Sequence, residues 1–66
     1  MNRAELRAAI ARKNIKKAQL AEDLEISRTS LTNKLKGVTE FKESEIQKLI
    51  AVLGLTAKEV NHICLS

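Results

Sequence analysis

Between Arg28 and Lys36 the segment RTSLTNKLK gathers side chains that can donate hydrogen bonds, and it contains no acid. Taken as a helix at about 100° per residue, Leu31 and Leu35 fall within about 40° of each other and mark a buried side. The opposite side then carries Thr29, Asn33 and Lys36, flanked by Ser30 and Thr32, and Arg28 in the first turn is long enough to reach round to it. Arg and Asn can each address a base edge in the major groove with two hydrogen bonds, and small hydroxyl residues let a helix backbone come close. A merely solvated face would mix Glu and Asp with Lys, and it would use better helix formers than Thr29, Thr32 and Asn33. The chemistry on offer is recognition of base edges.

Other chemistries find too few parts. One His62 and one Cys64 fall short of the three or four ligands of a zinc site; His62 is expected on the surface and Cys64 as a small apolar group. Ser27, Thr29 and Ser30 have no base placed by a motif to activate them, and no phosphate-cradling glycine loop is present. Glu40, Glu43 and Glu45 are most simply first-turn charge at the positive end of a following helix. No catalytic residue, cofactor, metal or small-molecule ligand is expected. Phe41 is the lone aromatic residue, so base stacking has almost nothing to stand on.

Five helices must position the Arg28–Lys36 face. The first runs from about Arg3 to Lys13, opened by Asn2 with Glu5 at capping-box spacing, carrying Leu6 and Ile10 as its stripe and ended by Asn14. The second, about Lys17 to Leu24, puts Leu20, Ala21 and Leu24 on one face. Its entry is poorly capped, because Lys16 stands where Ser, Thr or Asn is preferred and its charge opposes the dipole. Ser27 caps the third, and Gly37 follows it. After a loop in which Phe41 is expected to plug the core, Glu43 to Leu53 forms the most apolar helix, with Ile46, Leu49, Ile50 and Leu53 in phase and Gly54 at its end. Thr56 and Glu59 form a second capping box before a last helix with Val60 and Ile63. The second and third helices, with a short connection holding Ile26, make a helix-turn-helix.

Sixty-six residues, 44% hydrophobic and 30% charged, allow one small packed domain, expected over residues 1–66. A single cysteine and the lack of a long apolar run or leader pattern predict an unprocessed cytoplasmic protein that is not in a membrane. The net charge of +4 is uneven. Up to Lys36 nine basic residues face four acidic ones, a surplus of five; beyond it three face four. The basic surplus lies wholly with the helix-turn-helix, which suits a polyanionic partner.

The stretch AQLAEDLEISRTSLTNKLKG resembles the helix-turn-helix of the phage repressor and Cro family. Lys17, Leu20, small Ala21 where two helices touch, Leu24, Ile26 in the turn, Leu31 and Gly37 carry the likeness. It extends to Ala51-Val52-Leu53-Gly54-Leu55-Thr56, similar to that family's junction between the fourth and fifth helices. Two positions depart from the pattern. Glu25 stands where the family has glycine in the turn, and Lys34 replaces an apolar residue whose packing role is expected to pass to Leu35, with a slight rotation of the recognition helix.

The resemblance implies an all-α, five-helix, lambda-repressor-like domain. It implies that Arg28, Thr29, Thr32 and Asn33 face base edges, and that Lys16, Lys17, Ser30, Lys36 and Lys42 contact phosphate, with Asn14 or Lys34 as further candidates for the backbone. Arg7, Arg12 and Lys13 fit a solvated face at least as well. The expected function is sequence-specific repression or related regulation in a phage or prophage, by a homodimer on a roughly palindromic double-stranded site. Val60, Ile63, Cys64 and Leu65 would either form the dimer patch or close the core. The alternative is a protein-binding module of the same fold, such as an antirepressor or antitoxin subunit.

Overall fold

A computed structural model of the chain describes residues 1–64. Five helices follow in order: α1 (Arg3–Arg12), α2 (Lys17–Asp23), α3 (Arg28–Lys36), α4 (Glu43–Leu53) and α5 (Ala57–Cys64), with no strand among the described residues. The fold is therefore all-α with five helices; the bounds of α1 to α4 lie within a residue of their expected places, and α5 follows the expected Thr56–Glu59 box and carries Val60 and Ile63.

The starts differ in how their free amides are met. Asn2 Oδ1 accepts from the Glu5 N–H at 3.1 Å, but the reciprocal half of the box is missing, because the Asn2 N–H donates to the Ile63 carbonyl at 2.6 Å and ties the first residues to α5. Ser27 Oγ accepts from the Ser30 N–H at 3.0 Å. Thr56 and Glu59 make both halves of their box, at 3.0 and 3.2 Å. Lys16 makes no capping bond to α2.

The ends of α1 to α4 share one device. Asn14, Glu25, Gly37 and Gly54 are all left-handed, with φ of 55°, 59°, 88° and 61°. After each, the next amide reaches back to a carbonyl of the last turn: Ile15 to Ile10, Ile26 to Ala21, Val38 to Asn33, and Leu55 to Ile50. The residue after the left-handed position is apolar in all four. Ile15, Ile26 and Leu55 pack against the core, whereas Val38 is 69% exposed. Glu25 thus takes the turn conformation that glycine would take, at a steric cost of roughly 1–2 kcal/mol for a residue with a Cβ.

The core unites Leu6, Ala9 and Ile10 of α1, Leu20 and Ala21 of α2 with Leu24 behind it, Leu31 and Leu35 of α3, Leu49 and Leu53 of α4, and Ile63 of α5. α1 packs on α3 and α5, and α2 packs on α3 and α4. Ala21 is buried in this core, as the close approach of α2 to α3 requires. Ile63 lies in the core and Cys64 packs against it, so of the apolar residues proposed for dimerisation these two serve the domain itself. Leu65, the last of that set, lies outside the described residues. Phe41 is half-buried at the edge of the core, less deep than a plug.

Candidate nucleic-acid interface

α3 owes its orientation to Leu31 and Leu35, which are buried against α1 and α2. Arg28, Thr29 and Lys36 are exposed on its outer side, and Thr32 and Asn33 are half-exposed beside them. Ser30 is half-buried, and its N–H is taken by Ser27. Lys16 and Lys17, at the start of α2, are exposed, as is Lys42 immediately before α4. A shallow groove of about 360 Å³, with Ile10, Ala11 and Leu35 among its lining residues, also includes Arg7, Lys17 and Lys36. Cations from three helices therefore border one face of the molecule.

The pairing of charges sorts the basic residues into two groups. Arg12 and Lys13 both contact Glu59, at 3.5 and 3.4 Å, and Lys48 contacts Glu25 at 3.3 Å. Among the described residues, no carboxylate lies within ion-pair distance of Lys16, Lys17, Arg28, Lys36 or Lys42. Of these five cations, Lys16, Lys17, Arg28 and Lys36 stand at α2 and α3, where a polyanion would meet them; Lys58 of α5 is likewise without an ion pair among the described residues. Glu59 is held below the ordinary carboxylate range chiefly by the Thr56 N–H, with Lys13 and Arg12 adding to the effect against some desolvation.

Two arginines of α1 serve α3 directly. Arg7 Nη1 donates to the Leu35 carbonyl at 2.7 Å and Arg3 Nε to the Lys34 carbonyl at 3.3 Å. Both carbonyls belong to the last turn, where the helix dipole is negative; that of Lys34 also accepts the Gly37 N–H at 3.2 Å, whereas Arg7 supplies the donor for that of Leu35. Arg7 and Arg12 are exposed and Lys13 half-exposed, as a solvated face implies, and each is also a fastening, from α1 to α3 at Arg7 and from α1 to α5 at Arg12 and Lys13. Only the three-dimensional fold brings these partners together, and their distance in the sequence hides them.

Lys34 departs most from expectation. It is 9% exposed, beside Leu31 and Leu35 on the buried side, so it packs there together with Leu35 and its ammonium is turned inward. Its ammonium donates to Glu45 Oε1 at 2.6 Å, approaches the Glu40 carbonyl at 3.5 Å and lies 5.9 Å from the centre of the Phe41 ring. Glu45 stands in the first turn of α4 as expected, but it is buried and also accepts from the Lys42 N–H at 2.7 Å. Burial pushes its carboxyl up, but the Lys34 bond, the Lys42 amide and the two lysine charges outweigh this and hold it below the ordinary range. A sequence signal was present: Lys34 falls on the Leu31–Leu35 stripe.

The two short helices α2 and α3 pack on each other with Ala21 buried and Ile26 in the turn, and α3 presents an acid-free outer face bordered by lysines without a carboxylate partner among the described residues. A Cro/C1-type HTH DNA-binding domain matches residues 5–64. The chain belongs to that family. Comparison with curated proteins and with solved structures gave no match. As a Cro/C1-type protein it is a DNA-binding regulator in which α2 and α3 form the helix-turn-helix. Among the described residues no group of acidic, His and Cys side chains could hold a metal, and no helix is long and apolar enough to cross a membrane.

Proposed function

We propose that this Cro/C1-type protein is a sequence-specific transcription regulator of the repressor kind, of phage or prophage origin, acting in the cytoplasm without cofactor, small ligand or enzymatic activity. The outer face of α3 enters the major groove. Arg28, Thr29, Thr32 and Asn33 read base edges there, while Lys16, Lys17, Ser30, Lys36 and Lys42 hold phosphates and set the docking. One observation carries this: α3 exposes donors and no acid, and the lysines bordering it have no carboxylate partner among the described residues. Phosphate contacts supply affinity by releasing counterions, and the helix face supplies discrimination.

One domain covers one half-site. Two copies on a roughly palindromic operator, with half-sites about 34 Å apart, complete the recognition. The test is an anisotropy titration against the promoter region beside the protein's own gene, run at several salt concentrations. Preferred binding to one double-stranded site, with two protomers bound, is expected. Steep salt dependence without sequence preference would overturn the assignment in favour of a nonspecific binder, and no binding at low salt would favour a protein-binding module.

A further inference from the structure

A buried lysine on a recognition helix calls for a reason beyond stability. Removing two charges from water costs several kcal/mol, and an apolar pair in their place is often no less stable. What an ion pair offers in exchange is direction, since hydrogen bonds fix angles and apolar contacts do not. The Lys34–Glu45 pair uses that directionality on one short stretch of chain. Glu40 is approached through its carbonyl by the Lys34 ammonium, Phe41 lies near that ammonium, and Lys42 donates its N–H to the Glu45 oxygen that also receives Lys34. Three successive residues are held by one pair.

The rest of the connection between α3 and α4 is held only at its start, where the amides of Val38 and Thr39 reach the Asn33 carbonyl at 2.9 and 3.5 Å. Val38, Thr39 and Glu40 are exposed. The pair therefore ties the far end of the loop, with the backbone of Lys42, to the helix that carries Lys36 two residues beyond Lys34. Lys36 and Lys42 are the two unpaired cations that flank this loop among the described residues.

We propose that Lys34 and Glu45 are positioning residues for DNA binding, which lock the α3–α4 loop so that Lys42 and Lys36 meet the phosphate backbone at a fixed spacing. The assignment rests on the DNA-binding role proposed for Lys42. Neither Lys34 nor Glu45 touches DNA; both act through the loop.

The test is a double-mutant comparison by anisotropy across a salt series. Lys34→Met with Glu45→Gln removes both charges and leaves an acceptor for the Lys42 amide, so α4 stays capped while the loop is untied from α3. Circular dichroism is expected to show an intact helical fold, with operator affinity several-fold lower and the slope of log K against log salt reduced by about one. In the native chain Lys42→Ala is expected to cause a similar loss, and in the double variant almost none. Equal losses in both backgrounds would overturn the positioning role while leaving Lys42 as a phosphate contact. A silent Lys42→Ala in the native chain, with Lys17→Ala still weakening binding, would overturn it by removing the loop from the interface. A native chain that binds no DNA would bring down the functional reading and this inference with it. Lys34→Leu with Glu45→Gln unties the loop in the same way with a branched apolar side chain on α3, and it provides a second background for the comparison should the first double variant fold poorly.

Discussion

Arg7 of α1 donates its guanidinium N–H to the Leu35 carbonyl across 2.7 Å and so closes the C-terminal end of α3 from outside the helix. With Arg3 on the Lys34 carbonyl, it places positive charge where the helix dipole is negative. α1 therefore helps to anchor the C-terminal end of α3.

Arg7→Met is expected to destabilise the fold by about 1–2 kcal/mol, the sum of one charge-assisted bond and the dipole term. In a domain this small each kcal/mol corresponds to roughly 4–8 °C in Tm. Thermal unfolding measures it. An unchanged Tm accompanied by a smaller salt slope for DNA binding would instead make Arg7 a phosphate contact.

Asn33→Ala is expected to relax base preference and cost about 1–3 kcal/mol on the best site. Lys17→Ala is expected to weaken every sequence alike and to lower the salt slope by about one. Titrating both variants against the operator and a scrambled duplex separates the two roles. Matching profiles would contradict the division between base reading and phosphate contact.

Glu25→Gly removes a Cβ from a left-handed position at φ 59° and gives up an exposed contact with Lys48. Relief of about 1–2 kcal/mol of strain outweighs both a surface ion pair, worth less than about 1 kcal/mol, and the greater freedom of glycine in the unfolded chain. Denaturant unfolding is expected to show a net gain of about 0.5–1 kcal/mol with base preference unchanged.

Acid is expected to weaken the fold through Glu45 and Glu59. Both carboxyls sit below their ordinary value of 4.5 in the folded protein, so the native state binds fewer protons there than the unfolded chain. The stability that they add is present above about pH 4.5 and drains away as the pH falls through the folded-state values. The Lys34→Met, Glu45→Gln double variant should lose the Glu45 part of that dependence, which unfolding titrations from pH 7 to pH 3 would show. An identical pH profile in the double variant would refute the contribution of Glu45.

The helices are legible in the sequence because each carries local signals: Ser27 and Gly37 bracket α3, Thr56 with Glu59 opens α5, and aliphatic residues recur at three and four. The outer face of α3 is legible for the same reason, since Leu31 and Leu35 fix its phase. Lys34 and Glu45 are harder to read because a charged residue is ordinarily assigned to solvent, and only the approach of α4 to α3 supplies each with its partner. Arg3 and Arg7 pose the same difficulty: their acceptors are backbone carbonyls about thirty residues away, a type of partner that side-chain spacing cannot announce. Cys64 and Ile63 show the reverse, because the sequence leaves open whether they face a partner or the core, and packing decides for the core.

The two glycines differ in their neighbours, and a mutational library would feel the difference. A Cβ at Gly54 would meet nothing within 4 Å, whereas one at Gly37 would come within 3.2 Å of Arg3 Nε, the group that bonds the Lys34 carbonyl. Asparagine, which tolerates the left-handed region and already does so at position 14, should therefore be recovered readily at position 54. At position 37 selection should hold to glycine, or accept asparagine only together with a change at Arg3. Two positions that look interchangeable as helix stops would evolve under different rules, one free and the other bound to a residue thirty-four places earlier in the chain.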